Sequence, residues 1–301
     1  MKDLVIIGSG PAAFGAAIYA AREEIDTTVY EKSVIGGLLV TIDHVDNYPG
    51  FPDGVEGSEL VKNMQLQAER FGAEVEYGEV SRIKPNGSGA YIVTVDGEDV
   101  TARAVLIASG WTYNAMGVPG EKEYKNRGVH YCATCDGPFY KDKKILVVGG
   151  GNSAAQEAVF LTRFASQVEI LARSSFKASA VLQKKVKEHG ISVHEGVGVA
   201  EVLGDGNHVT GLKVIDEKGE REISAEGIFV FVGIHPSSEF AAESGLELDE
   251  QGYIKTGSSY QTSLPGVFVA GDIRSGSTKQ IITAAGEGAA AAKAIGKYLA
   301  E

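Results

Sequence analysis

Leu4-Val5-Ile6-Ile7-Gly8-Ser9-Gly10-Pro11-Ala12-Ala13 is the stretch on which the fold turns. Four apolar residues in a row read as a strand buried on both faces, the pattern of a parallel sheet rather than of one with a wetted side. The Gly-x-Gly-x-x-Ala turn follows. Its first glycine allows the tight turn, its second lets the backbone approach a pyrophosphate, and the small third residue lets the next helix pack close to the strand. Pro11 suits a first helical turn, where its missing N–H costs nothing, and an alanine-rich helix is expected to about Arg22. The start of such a helix presents free N–H groups and partial positive charge to an anion. One such turn is a weak signal, because glycine turns also occur without ligands.

Outward from it, Thr27–Tyr30 reads as the next strand and ends on Glu31, a carboxylate placed to accept from ribose hydroxyls. A helix is expected over Glu59–Phe71, closed by Gly72, then a strand ending at Val95 before an Asp96-Gly97 turn, then a buried strand over Ala104–Ser109. The pattern then restarts: Ile145–Val148, Gly149-Gly150-Gly151-Asn152-Ser153-Ala154, a helix to about Phe164 and a strand over Val168–Leu171. Ile228–Val232 reads as the last strand of this repeat. Val267–Ala270 runs into Gly271-Asp272 and an Ala/Gly-rich helix reaching Leu299. Two such units are strong evidence where one is weak. The expected fold is α/β, with two Rossmann-like dinucleotide-binding domains joined by short crossings and a C-terminal piece open to returning to the first.

The repeats differ where a nucleotide is told apart. The counterpart of Glu31 is Ala172, followed by Arg173, Ser174, Ser175 and Lys177. A missing acid and two nearby cations suit the 2′-phosphate of NADPH, which NADH lacks. The alternative is a solvated basic turn.

Between the repeats lies His130-Tyr131-Cys132-Ala133-Thr134-Cys135-Asp136-Gly137, which holds the chain's two cysteines. Two intervening residues permit a small disulfide ring, and one thiol of such a pair is commonly the more acidic nucleophile. Asp136 can hold or deliver a proton during exchange. A structural zinc needs about four protein ligands; His130 would be a third and no fourth follows, so no metal is expected. An iron–sulfur cluster lacks cysteines, and c-type haem needs His where Asp136 stands. Two inert buried cysteines remain the bland alternative.

Composition narrows the classes. At 301 residues the chain exceeds the ~250–300 at which one core stops growing, so two domains are expected. With 44% hydrophobic and 23% charged residues it is an ordinary globular chain. A net charge of −12 argues against nucleic acid and against an anionic membrane. So few cysteines suit a reducing, cytoplasmic setting. No apolar run approaches the ~18 residues of a span. The first twenty residues mimic a signal peptide, but Asp3, Gly8, Gly10 and Pro11 fit a strand, turn and helix better. His44 reads as a packed loop histidine, His189 as a helix C-terminal residue, and the Asn86-Gly87-Ser88 sequon as meaningless in the cytoplasm.

The whole chain resembles the low-molecular-weight thioredoxin reductases. The resemblance rests on Gly8–Pro11, Asp46-Asn47-Tyr48-Pro49-Gly50-Phe51-Pro52, Cys132–Gly137, Gly149–Ala154 and Gly271-Asp272, with Lys279-Gln280 and Thr283-Ala284-Ala285-Gly286 resembling a flavin-covering helix. It implies an FAD domain over 1–116 and 237–301 and an NAD(P)H domain carrying the redox disulfide over 117–236. It implies FAD contacts at Gly8, Ser9, Gly10, Pro11, Ala12, Ala13, Glu31, Lys32, Gly36, Gly37, Leu38, Asn47, Gly271, Asp272, Gln280 and Ile281, and NADPH contacts at Gly149, Gly151, Asn152, Ser153, Ala154, Arg173, Ser174 and Lys177. Cys135 would be the thiol beside the flavin, Cys132 the one that attacks the partner, and Asp136 the acid. Electrons would pass from NADPH through FAD and the Cys132–Cys135 disulfide to thioredoxin, in a homodimer whose inserted domain rotates during turnover. Phe139 and Tyr140 match aromatic positions near the partner-docking surface. Ala172-Arg173-Ser174 departs from the family's His-Arg-Arg element. That leaves ferredoxin or a reduced deazaflavin as alternative donors, beside the readings as a small-molecule dithiol oxidase or a redox sensor.

Overall fold

The computed structural model describes residues 1–42, 44–241 and 244–301, without the side chains of Cys135 and Glu239. The chain forms two compact units, one of residues 1–112 and 235–301 and the other of residues 113–234.

In the first unit the strands Glu74–Tyr77, Thr27–Glu31, Lys2–Ile7 and Glu98–Ile107 lie side by side in parallel. The far edge of Glu98–Ile107 is shared: its first half pairs antiparallel with Tyr91–Val95, and its second half pairs parallel with Val267–Val269. The Val80–Pro85 strand completes the antiparallel side. Leu4 and Ile6 enter one hydrophobic cluster, with Phe14, Leu106 and Phe268, while Val5 and Ile7 enter another, with Val93, Val105 and Val267. A strand buried on both faces has no polar side to alternate with, which is why its sequence is a continuous apolar run. The strand expected over Ala104–Ser109 is the buried second half of Glu98–Ile107. The exposed Glu98 and Asp99 hid its start.

Helix Pro11–Arg22 and helix Ile281–Ala300 are packed backbone to backbone. A Cβ on Gly15 would collide with the Ala285 carbonyl, and one on Gly288 with the Ala12 carbonyl. Alanines line the rest of the crossing, with Ala12, Ala13, Ala16, Ala284, Ala291 and Ala292 buried. The residues after 266 thus complete the unit that the first residues begin.

The second unit repeats the plan. Ser192–Glu195, Gln167–Ala172, Lys144–Val148, Gly227–Val230 and Val129–His130 form a parallel sheet. Gly198–Gly204, Val209–Asp216 and Gly219–Ser224 form an antiparallel one beside it. Again alternate residues of the strand before the turn serve two clusters, Ile145 and Val147 against Leu146 and Val148. The helix after the turn, Asn152–Leu161, stops short of the expected Phe164, and the Thr162 hydroxyl bonds back to the Val159 carbonyl at 2.7 Å. The strand expected to reach Val232 ends at Val230, before the positive-φ Gly233.

The helix crossing gives a direct test. Gly288→Ala inserts a methyl against rigid backbone, an overpacking cost of about 1–3 kcal/mol. The expected outcome is a lower urea midpoint, while Gly286→Ala, which faces open space, shifts it by a few tenths of that at most.

Candidate functional site

The first turn is built from the backbone. Gly8 sits at φ +94 with Ala108 so close that any Cβ would meet its carbonyl oxygen at 2.6 Å. Gly10, the residue capping Pro11–Arg22, has nothing within 4 Å of a would-be Cβ. That open space over a helix N-terminus is where a pyrophosphate fits. Glu31 is buried, its Oε2 accepting from the Ser9 N–H at 3.1 Å and from the Ser9 hydroxyl at 2.7 Å, its Oε1 from the Ser33 N–H at 2.9 Å. The Ser9 oxygen in turn accepts the Gly36 N–H at 2.8 Å. Two loops, the Gly8–Gly10 turn and the segment after Glu31, are thereby fixed around one carboxylate that retains lone pairs for ribose hydroxyls.

Further residues of the first unit gather here. A Cβ on Gly37 would stand 3.8 Å from the Gly10 Cα. Asn47 donates its amide to the Gln280 side chain at 3.1 Å, joining positions far apart in sequence. Gln280 caps Ile281–Ala300 in a reciprocal capping box with Thr283. The Gly271 N–H donates to Glu287, itself bound by Arg274. Asp272 Oδ2 accepts from the Trp111 indole at 3.1 Å, while its Oδ1 is buried with no partner among the described residues. Burial holds the Asp272 carboxyl above the usual range, against the lowering pull of Trp111. An orphaned buried acceptor beside such a turn asks for a hydroxyl donor, and the residues present fit FAD. Lys32 and Leu38 are exposed and partly buried respectively.

The second turn lies in the second unit. Gly149, at φ +150, could carry no Cβ beside the Phe231 carbonyl, and Gly151 again faces open space. The Asn152 side chain accepts the Ser179 N–H at 2.8 Å and the Lys177 N–H bonds the Gly150 carbonyl at 2.7 Å, which ties the basic loop to the turn. Ala154 is buried, Ser153 and Ser174 are exposed, and the exposed side chains of Arg173 and Lys177 pair with no carboxylate among the described residues. Unpaired cations beside an open helix N-terminus fit a nucleotide phosphate.

The cysteine segment is a single helical turn, Ala133–Asp136, running into a 3₁₀ turn, Gly137–Tyr140. Cys132 is disulfide-bonded and accepts the Asp136 N–H on its carbonyl at 3.2 Å. The Cys135 side chain lies outside the described residues. Asp136 Oδ2 stands 3.1 Å from His130 Nδ1. Phe139 is 71% exposed, whereas Tyr140 is buried, so of the two aromatics only Phe139 offers a surface.

Sequence reading passed over several residues. Buried Glu121 accepts the Met116 and Gly117 N–H groups at 2.7 Å each and the Tyr131 hydroxyl at 2.6 Å, anchoring the residue before Cys132. Glu195, in register with Ala172, accepts the Phe176 N–H at 2.7 Å and shapes the basic loop from the neighbouring strand. Glu157, on the helix after the second turn, has its carboxyl pushed up to about 7 by burial. Only its step along a helix face from Ala154 could have hinted at it.

The chain from residue 2 to residue 288 matches the profile of the pyridine nucleotide-disulphide oxidoreductases. It is 42% identical over 306 residues to a thioredoxin reductase of Mycolicibacterium smegmatis, covering 100% of this chain and 97% of that one. To a thioredoxin reductase of Listeria monocytogenes it is 39% identical over 303 residues, covering 99% and 94%. The chain belongs to the low-molecular-weight thioredoxin reductases. The crystal structure of the Lactococcus lactis thioredoxin reductase superposes with a TM-score of 0.88 at 36% identity, covering 100% and 99%. Thioredoxin reductases of this family are flavoproteins that use FAD and NADPH, and both turns described above fit such ligands. Among the described residues no helix is long and apolar enough to cross a membrane, and no cluster of side chains has the makings of a metal site.

Glu157 makes a pH prediction. A carboxyl whose folded value is raised favours the folded state at low pH, and that contribution is lost as pH rises through about 7. The melting temperature should therefore fall between about pH 5 and pH 8 more steeply in the wild type than in Glu157→Gln. Parallel curves would show that Glu157 ionises freely.

Proposed function

We propose that the chain is an FAD-dependent thioredoxin-disulfide reductase that passes electrons from NADPH through FAD and a Cys132–Cys135 disulfide to thioredoxin. The observation that carries this is the disulfide-bonded Cys132, opening a helical turn that ends on Asp136 shortly before a second dinucleotide turn. Thioredoxin as the protein substrate follows from the names of its relatives. The unit of residues 1–112 and 235–301 is assigned to FAD and the unit of residues 113–234 to the nicotinamide nucleotide. A chain with only two cysteines, both committed to exchange, suits the cytoplasm, and the family resemblance supports a homodimer.

In this reading the start of Pro11–Arg22 holds the FAD pyrophosphate, Glu31 the ribose and Asp272 Oδ1 a hydroxyl of the flavin's sugar chain. Bound FAD supplies a two-electron relay between a hydride donor and a disulfide. The start of Asn152–Leu161 holds the pyrophosphate of NADPH, and Arg173 and Lys177 hold its 2′-phosphate. Cys132, as thiolate, attacks the disulfide of thioredoxin. The bond between the partner's sulfurs breaks, Asp136 protonates the departing thiolate, and the Cys135 sulfur then closes on Cys132, releasing the partner's second thiolate and restoring the proton to Asp136.

Two measurements test the reading. Mixed anaerobically with the enzyme, NADPH should bleach the flavin absorbance within the turnover time; bleaching by reduced ferredoxin alone would transfer the donor role to that protein. Arg173→Ala should raise KM for NADPH about tenfold or more, the worth of a charge-assisted contact, and leave KM for NADH unchanged. An equal rise for both cofactors would remove Arg173 from the 2′-phosphate.

A further inference from the structure

Beside the cysteine turn, a chain of two buried polar groups leads to the part-exposed carboxylate of Asp136. His130 ends the short strand Val129–His130 and is buried, with Nε2 2.6 Å from the Tyr140 hydroxyl and Nδ1 3.1 Å from Asp136 Oδ2. Its ring is fixed by two others, Tyr140 at 5.3 Å edge-on and Phe229 at 5.3 Å tilted. Room for Tyr140 is made by Gly227, where a Cβ would stand 2.7 Å from the phenol Cζ. The charged groups facing this chain are Asp136 at one end, and Lys143, with Nζ 5.3 Å from the Tyr140 ring centre, and Glu226 at the other. We propose that His130 is the positioning residue for Asp136, presenting an Nδ1–H to its carboxylate so that the carboxyl meets the cysteine pair in one orientation.

Burial, reinforced by the carboxylates of Asp136 and Glu226, pushes the Tyr140 hydroxyl up to about 12, so it keeps its proton at neutral pH. If Nε2 carried the neutral imidazole's proton, bare Nδ1 would face the lone pairs of a carboxylate. The opposite tautomer has Tyr140 donating to Nε2 and Nδ1–H facing Asp136, so that no lone pair faces another. Nδ1 lies within ion-pair distance of Oδ2 but off the hydrogen-bond line, and it has no other partner among the described residues. A buried N–H with one acceptor in range calls for a small turn of that carboxylate, and loose contacts at resting sites commonly tighten during turnover.

When the Cys132 thiolate attacks a partner disulfide, the leaving sulfur gains the proton of Asp136. The carboxylate so formed is held by Nδ1–H. Closure of the enzyme disulfide releases the proton of the second thiol back to Asp136, so no proton is gained or lost overall.

This rests on the reading of the chain as a thioredoxin reductase with Asp136 as its acid. Two isosteric changes separate the ends of the imidazole: His130→Asn keeps an amide donor near Nδ1, and His130→Gln keeps one near Nε2. NADPH-driven reduction of oxidised thioredoxin should fall about tenfold or more in kcat for His130→Gln, with KM within about twofold and a changed pH–rate profile, while His130→Asn stays within about threefold of the wild type. Bleaching of the flavin by NADPH should keep its wild-type rate in both. Equal losses in the two variants, or none in either across pH 6–9, overturn the proposal. A wild-type enzyme whose flavin NADPH does not bleach would fail the proposed donor instead, and with dithionite as reductant the comparison of the His130 variants still reads.

Discussion

Two helices of the first unit touch where neither has a side chain to spare. Gly15 meets the Ala285 carbonyl, Gly288 meets the Ala12 carbonyl, and buried alanines fill the rest of the seam. Once Ile281–Ala300 is locked there, everything leading into it is placed as well. Gly271 approaches Ala12, its N–H goes to Glu287, and Arg274 closes on the same carboxylate from the other side at 3.0 Å. Glu287 is buried, so losing its guanidinium would leave an uncompensated charge, a cost of about 3–5 kcal/mol. Asp272 and Gln280 take their positions from this arrangement, as does the Asn47 amide that bonds Gln280.

The order of strand, glycine turn and helix was legible in the sequence, because Gly-x-Gly-x-x-Ala after an apolar run occurs there twice. The boundaries Pro11–Arg22, Thr27–Glu31 and Gln167–Ala172 came out within a residue or two of expectation. Less legible was anything that depended on distant partners. Ser9 reads as a variable position in the motif, yet its hydroxyl bridges Glu31 and Gly36. His130 looked like an unfinished metal ligand, since sequence spacing cannot show Tyr140 and Phe229 closing over its ring. Glu195 belongs to the basic loop only through strand pairing with Ala172. The first half of Glu98–Ile107 escaped notice because edge pairing with Tyr91–Val95 tolerates exposed charge.

The two units carry one plan with different charge at one position. Each has the tight glycine, the open second glycine and the helix start. The first ends its second strand on a carboxylate held by backbone and serine donors, which disfavours a further anion there. The second ends on Ala172 and leaves Arg173 and Lys177 with no carboxylate partner among the described residues. Charge at one strand end, rather than any change of fold, separates the two turns.

The interrupted layout of the first unit has a consequence for how the protein is made. Residues 113–234 are contiguous and can fold as soon as they leave the ribosome. The unit that starts first must wait, because its Val267–Val269 strand and its Ile281–Ala300 helix are synthesised after the entire inserted unit. Until then the Pro11–Arg22 helix exposes an alanine face and the first glycine turn lacks Asp272. The first unit is therefore completed late in synthesis, and a chain stalled beyond residue 234 would hold a finished second unit and an unfinished first one.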